Sequence, residues 1–221
     1  MNYPEIVINT GYLCNNFCKF CPYPEEKLRQ KENKSFQAII SELEKAKKKT
    51  KFIIFTGGEP TIRKDFFDLI EKAKNLKFKT IGIKSNGRIF SYKDFCQKTV
   101  KAGGNLFIIS LHGHLKELHD WLTSSPGSFE QTIQGIRNLK LLGKTVISET
   151  IITKSNYPHL PKIAELLIKL GVDRLQFKFP KPIGIARENS KSIIPKTPLV
   201  QPYLQEALKL WRRARGRDII Y

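Results

Sequence analysis

The sequence predicts an α/β fold. Strand and helix patterns alternate along it, the loops between them are short, and 221 residues are enough for one well-buried domain but not for two large ones. Short connections in such an alternation call for parallel strands joined by helical crossovers, because a parallel pair cannot be closed by a hairpin. Six units fit an incomplete (β/α)6 barrel, since a closed eight-stranded barrel typically takes about 250 residues. A doubly wound open sheet shows the same alternation, and periodicity alone does not separate the two.

The elements follow in order. Residues 5–9 (Glu-Ile-Val-Ile-Asn) are a β-branched run ending at Thr10-Gly11, which makes a first strand. After a charged loop with Pro22 and Pro24, Ser35 caps a helix whose apolar face is Phe36, Ile39, Ile40, Leu43 and Ala46. The lysine-rich run from Lys45 to Lys51 closes that helix, where cations offset the negative end of its dipole. Strands are then expected at 51–55, 79–84, 105–111, 145–152 and 173–178, with helices near 64–75, 92–102, 128–142 and 157–170. From Phe179 to Tyr203 prolines at 180, 182, 195, 198 and 202 predict an extended segment rather than a packed element. A last helix, about 203–215, carries Leu204, Leu208 and Trp211 on one face and ends at Gly216. The chain thus divides into a core, 1–182, and an extension, 183–221. It stops inside Asp218-Ile219-Ile220-Tyr221, which reads as the start of a strand, so the sequence is expected to be a piece cut short.

Composition narrows the function classes. No apolar run approaches the roughly 20 residues of a bilayer span, and no secretory leader opens the chain, so a soluble, cytoplasmic protein without membrane contact is expected. The net charge is +19, carried by lysine spread along the chain rather than by arginine interleaved with aromatics on one face. That dispersal reads as surface composition more than as a nucleic-acid footprint.

Three cysteines carry the chemistry: Cys14-Asn15-Asn16-Phe17-Cys18-Lys19-Phe20-Cys21. Thiolates this close on one loop can hold an iron–sulfur cube by three corners. The fourth ligand that a structural zinc site would want is missing, which leaves one iron open. Chance burial and an incomplete zinc knuckle are the plainer alternatives. An odd cluster does not make a disulfide framework and fits a reducing compartment. Cys96, in the middle of a helix, reads as a packed hydrophobe.

Four further stretches end strands. In Thr56-Gly57-Gly58-Glu59-Pro60 the glycines permit close backbone approach and Glu59 offers an acceptor for an ammonium group, although an ordinary strand-to-helix turn would look alike. In Lys84-Ser85-Asn86-Gly87, Ser85 and Asn86 present short hydrogen-bonding side chains, in what is also a favoured turn pair. In Ile109-Ser110-Leu111-His112-Gly113, Ser110 and His112 lie one strand period apart and share a face. His112 could serve as base, neighbour to a cluster or simple hydrogen-bonder; His114 and His119 read as surface polarity. Four histidines without a close carboxylate pair argue against a separate metal centre. In the sixth strand Leu175, Phe177 and Phe179 alternate with Gln176 and Lys178, which places the latter pair inside a barrel, as substrate contacts or with Lys178 paired to a core carboxylate at the rim. The facing of Glu149 is not legible from the alternation.

The Cys-x3-Cys-x2-Cys loop, with Phe20 before its last cysteine, resembles the cluster loop of the radical S-adenosylmethionine (SAM) enzymes. The glycine-glycine-glutamate and Ser-Asn-Gly stretches are similar to motifs of that family, as are Ser125 to Phe129, Gly135 to Leu139 and Ile152 to Asn156, so the likeness runs from about 5 to 180. It implies a partial (β/α)6 barrel, and a [4Fe-4S] cluster on Cys14, Cys18 and Cys21 whose fourth iron is chelated by SAM. It further implies contacts to the methionyl amino group from Gly57, Gly58 and Glu59, and contacts to SAM from Ser85 and Asn86. His112 stands where many relatives carry aspartate, and no cysteine-rich segment for a further cluster follows position 96. The implied activity is reductive cleavage of SAM to a 5′-deoxyadenosyl radical that takes hydrogen from a peptide or protein substrate, with tRNA modification as the alternative. A flavodoxin or ferredoxin-type electron donor would suit a basic surface. From other classes, an iron–sulfur electron-transfer protein and a nucleic-acid-binding zinc protein remain open, though both leave the glycine-glycine-glutamate stretch unexplained.

Overall fold

The computed structural model describes residues 5–28, 33–215 and 219–220. Its elements run β1 (Ile6–Asn9), α1 (Glu25–Leu28), α2 (Phe36–Lys47), β2 (Phe52–Thr56), α3 (Phe66–Asn75), β3 (Thr80–Ser85), α4 (Lys93–Ala102) and β4 (Leu106–Ser110). They continue with α5 (Lys116–Thr123), α6 (Ser128–Leu141), β5 (Thr145–Ile151), α7 (Leu160–Lys169), β6 (Arg174–Lys178), α8 (Ile185–Glu188), α9 (Ser190–Ile193), α10 (Thr197–Arg215) and β7 (Ile219–Ile220).

The strands form one sheet in the order β1 to β7, and every neighbouring pair is parallel. A doubly wound sheet reverses direction at a switch point, whereas this order is strictly sequential, as in a barrel. The fold is therefore a partial TIM-like barrel of six strand–helix units, with the two-residue β7 added at its edge.

Period-two alternation sends each strand's residues to opposite faces. On the outer face Ile53, Phe55, Ile81, Ile83, Phe107, Ile109, Leu175 and Phe177 join the main core with Ile39, Leu43, Leu69, Ile136 and Leu167 of the helices. Burying each such side chain contributes about 1.5–3 kcal/mol. On the inner face only a small cluster forms, Ile54, Ile108 and Ile147 with Phe52 and Leu106 against it. Ser35 caps α2 as expected, its hydroxyl accepting from the Ala38 N–H at 3.3 Å.

The segment after Phe179 differs from the extended reading. It folds into α8 and α9, and α10 begins at Thr197, with Ala186, Ile193 and Val200 fully buried. Pro198 falls in the first turn of α10, where its missing N–H has no helical partner to lose. Pro202 lies inside the helix, and the helix runs through it because Val200, Ala207, Leu208 and Trp211 pack into the main core beside α7. Residues 183–215 therefore share the core of 5–182. A second difference is α5, a helix that stands between the expected fourth strand and the helix at 128–142 and carries His119. The stop expected at Gly216 lies outside the described residues.

Candidate active site

The C-terminal ends of the strands surround the mouth of a cavity of about 710 Å3 that runs down the inner face of the sheet. Cys14, Cys18 and Cys21 line it, all partly buried and none in a disulfide. Their loop follows β1 and is stitched down by peptide groups. Gly58 N–H donates to Gly11 O at 2.9 Å and Glu59 N–H to Leu13 O at 2.8 Å. From the loop, Phe17 N–H reaches Thr123 O and Lys19 N–H reaches Leu122 O, both at 3.0 Å, on α5. Ala186 N–H of α8 donates to Cys21 O at 3.0 Å. Arg88 donates to Asn15 O, to Asn16 Oδ1 at 2.9 Å and to Gln131 Oε1 at 2.6 Å. Phe20 and Cys18 pack with Leu122 of α5 and Ile193 of α9. Sequence reasoning missed Arg88, α5 and α8–α9; the Arg88 guanidinium, directly after the Ser-Asn-Gly stretch, was the signal available.

The thiols fit an iron–sulfur cube. Burial pushes Cys14 up to about 12 and raises Cys18 and Cys21 as well, so each stays a protonated thiol until a metal bound beside it displaces the proton. Among the described residues no three His, Cys, Asp or Glu side chains are placed to hold a single metal ion. A cube accepts such a spread, since each thiolate binds a different iron.

Gly57 and Gly58 line the cavity. A Cβ on Gly58 would lie 2.2 Å from Leu13 O and 2.3 Å from Tyr12 O, so only glycine lets the two loops touch. Glu59 has a different task from the one expected of it. It is 2 % exposed, and its Oε1 accepts from Thr61 N–H (3.1 Å), Thr61 Oγ1 (2.7 Å) and Ser85 Oγ (2.8 Å), while Oε2 accepts from Asn86 N–H (2.7 Å). Burial raises its pKa against these bonds, and the carboxylate ties the exit of β2 to that of β3 rather than reaching for an ammonium. Ser85 and Asn86 both line the cavity, yet they too are engaged within the protein: Gly87 N–H donates to Ser85 Oγ at 3.0 Å, and Asn86 Nδ2 donates to Asn15 Oδ1 at 2.7 Å.

Ser110 and His112 reach the same cavity, as their period-two spacing requires. His112 is 3 % exposed, edge-on to Phe20 at 4.5 Å, and its Nδ1 accepts from Ile151 N–H at 3.2 Å. Burial, then the neighbouring His119 and Lys84, hold its pKa well below the ordinary value, so the ring is neutral with its proton on Nε2. His119 is not surface polarity: it is 1 % exposed on α5, and its Nδ1 accepts from His112 N–H at 3.1 Å.

On the wall formed by β6, Gln176 and Lys178 face inward as the alternation predicted. Glu149 faces inward too and sits between two ammonium groups, Lys84 Nζ and Lys178 Nζ, each at 2.6 Å. The two sequence readings of Lys178 therefore describe one arrangement, in which it lines the barrel and pairs with a buried carboxylate. Lys84 was missed; its place one strand period from Asn86 puts it on the same face.

Comparison with known proteins agrees with this geometry. Residues 8–167 match the radical SAM superfamily. The chain is 32% identical over 188 residues to an AdoMet-dependent heme synthase of Oleidesulfovibrio alaskensis, covering 82% of this chain and 46% of that protein. It is 27% identical to a probable GTP 3′,8-cyclase of Metallosphaera sedula, over 83% of this chain and 57% of the relative. It thus spans about half the length of the curated relatives it matches. Streptococcus suis SuiB bound to its precursor peptide SuiA superposes with a TM-score of 0.76 at 19% identity, over 97% of this chain and 48% of SuiB. The chain belongs to the radical SAM superfamily, whose enzymes work with a [4Fe-4S] cluster and S-adenosylmethionine.

Proposed function

We propose that this chain is the catalytic core of a radical SAM enzyme acting on a peptide or protein, with Cys14, Cys18 and Cys21 holding the cluster. One observation carries the reading: three free thiols and the Gly57–Gly58 backbone open onto one cavity that continues down the barrel. When bound, the cluster and SAM supply reductive cleavage of the sulfonium to a 5′-deoxyadenosyl radical that takes hydrogen from the substrate.

The chain's own part is positional. Arg88, α5 and α8 hold the cysteine loop by its peptide groups, so the sulfurs are placed by the fold. Gly57 and Gly58 allow SAM to lie against backbone, and Glu59, Ser85 and Asn86 keep that wall in register. His112 offers a fixed N–H donor beside the cluster loop. Ser110, Gln176 and Lys178 line the same cavity from β4 and β6, where substrate would lie.

A peptide or protein substrate is supported by the likeness to SuiB with its precursor peptide seated. The heme synthase and GTP cyclase relatives make a small molecule the outcome to be separated from it. A tRNA substrate would need affinity for RNA at low salt, which a filter-binding assay measures. No helix among the described residues is long and apolar enough to cross a membrane. A reducing cytoplasm, with a flavodoxin or ferredoxin-type donor, would keep the three thiols available.

Anaerobic reconstitution with iron and sulfide, followed by a strong reductant and SAM, tests the assignment. Release of 5′-deoxyadenosine is expected from the parent protein, and loss of both iron and product from Cys14→Ala, Cys18→Ala or Cys21→Ala. Zinc in place of iron, or unchanged iron in those variants, would overturn it.

A further inference from the structure

The charge arrangement in the barrel points to what the substrate must carry. Lys84 on β3, Glu149 on β5 and Lys178 on β6 converge from three strands, with Glu149 only 4% exposed at its side chain and the lysines 36% and 44%. Burial works against a charged Glu149, but Lys84 and then Lys178 outweigh it and hold its pKa below the usual carboxylate range. Glu149 is therefore ionised, and two ammonium groups against one carboxylate leave one positive charge surplus. Each lysine has three N–H donors, lines the cavity and is seen to spend one donor on Glu149. Arg174 and Lys181 line the same cavity, and its other carboxylate among the described residues, Glu5, stands beyond the N-terminal end of β1. Beside the triad the wall is apolar, formed by Ile54, Ile108 and Ile147.

In the free protein, water solvates the surplus charge. A substrate that fills the barrel displaces that water, and an ammonium left in a dry cavity without a counter-charge is costly. SAM taken whole adds positive charge, because its one carboxylate is outnumbered by its ammonium and its sulfonium. A substrate anion is the group that would balance it without drawing on the cofactor.

We propose that Lys84 and Lys178 form an anion-receiving site inside the barrel that takes a carboxylate of the substrate, with Glu149 as the internal counter-ion that keeps both ammonium groups in place. A single carboxylate neutralises the surplus. This rests on the peptide reading above, and there the occupant is an acidic residue of the substrate peptide.

The test uses the reconstituted protein with SAM bound and the cluster left oxidised, so that SAM stays whole. Calorimetric titration compares N-acetyl-Glu-Glu-amide with N-acetyl-Gln-Gln-amide, which match in size. The acidic dipeptide is expected to bind at least about tenfold more tightly, and Lys84→Met or Lys178→Met to remove most of that difference. Glu149→Gln supplies the decisive sign: releasing both ammonium groups should tighten the acidic dipeptide severalfold, whereas a merely structural Glu149 would weaken it or leave it unchanged. Equal binding of the two dipeptides, or weaker or unchanged acidic binding in folded Glu149→Gln, overturns the proposal. So does loss of SAM affinity in the lysine variants with the dipeptide preference intact, which would assign the lysines to the cofactor's own carboxylate. Glutarate that binds as tightly as the acidic dipeptide would support the anion site while naming a small acid as its occupant. If the protein takes up neither cluster nor SAM, the radical reading fails, and the two dipeptides on the cluster-free chain still decide the anion site.

Discussion

At the rim of the cavity Glu59, Ser85, Asn86 and Arg88 spend their polar atoms on one another and on the cysteine loop, whereas on the inner wall of the sheet two lysines share a single carboxylate. The rim is cross-linked to hold a geometry: the turns after β2 and β3, with α5 and α8, each contribute hydrogen bonds to one short loop. The barrel interior is left with donors in excess. A cofactor that is always the same can be met by a wall built in advance, but a substrate that comes and goes needs groups still available to it. The apolar packing follows the same division, because the outer face of the sheet is filled by helices while the inner face holds only a small isoleucine cluster.

Variants at the rim and in the interior can break this contrast. The largest effect is expected from Gly58→Ala, whose Cβ meets two carbonyl oxygens at 2.2 and 2.3 Å that belong to backbone and cannot swing aside. Iron and sulfide retained after reconstitution should fall to near the level of the cysteine variants; a normally loaded variant would show that the rim yields more than its packing suggests. Next comes Glu59→Gln. Four donors converge on Glu59, and the amide turns one acceptor into a competing donor beside them. A loss of about 1–3 kcal/mol in denaturant unfolding is expected, and an unchanged midpoint would mean the clamp does not tie β2 to β3.

A pH series probes the buried histidines behind the rim. Burial lowers His119 from its ordinary 6.5 to about 4. The unfolded chain takes up that proton near 6.5 while the folded chain refuses it, so stability is complete above that range and falls as pH drops towards 4. Between pH 7 and pH 5 unfolding should become easier by about 1–2 kcal/mol, and His119→Gln, which keeps an acceptor for His112 N–H, should flatten the slope. An unaltered slope in that variant would place the titration elsewhere. The smallest change in stability is expected inside the barrel. Lys178 is half-exposed and Glu149 keeps Lys84 when it is replaced, so Lys178→Met should cost under about 1 kcal/mol. A loss as large as that of Glu59→Gln would erase the distinction between a structural rim and a ligand-facing interior.

Legibility in the sequence followed the range of the interactions. The six principal strands emerged within about two residues because period-two alternation and β-branched runs are local properties. Cys14, Cys18 and Cys21 and the glycine pair stood out for the same reason, as residue types at short fixed spacing. The Phe179 to Tyr203 segment was misread because proline weighs heavily in a local reading. Here Pro198 occupies a first turn and Pro202 is carried by the burial of Val200 and Trp211 against a helix far away in the chain. His119 was misread because polarity in sequence says nothing of a ring that buries itself to accept one N–H from His112.

The sequence by itself determined the alternation that makes a sequential parallel sheet, the three thiols at cluster spacing, and the likeness that placed the chain in its superfamily. Only the tertiary structure decided that Glu59 braces the rim instead of facing a ligand, that Arg88 and α8 secure the cysteine loop, and that Lys84, Glu149 and Lys178 meet inside the barrel. Local spacing sets which face of a strand a residue occupies; the register between strands sets which residues meet across that face, and that register belongs to the whole sheet.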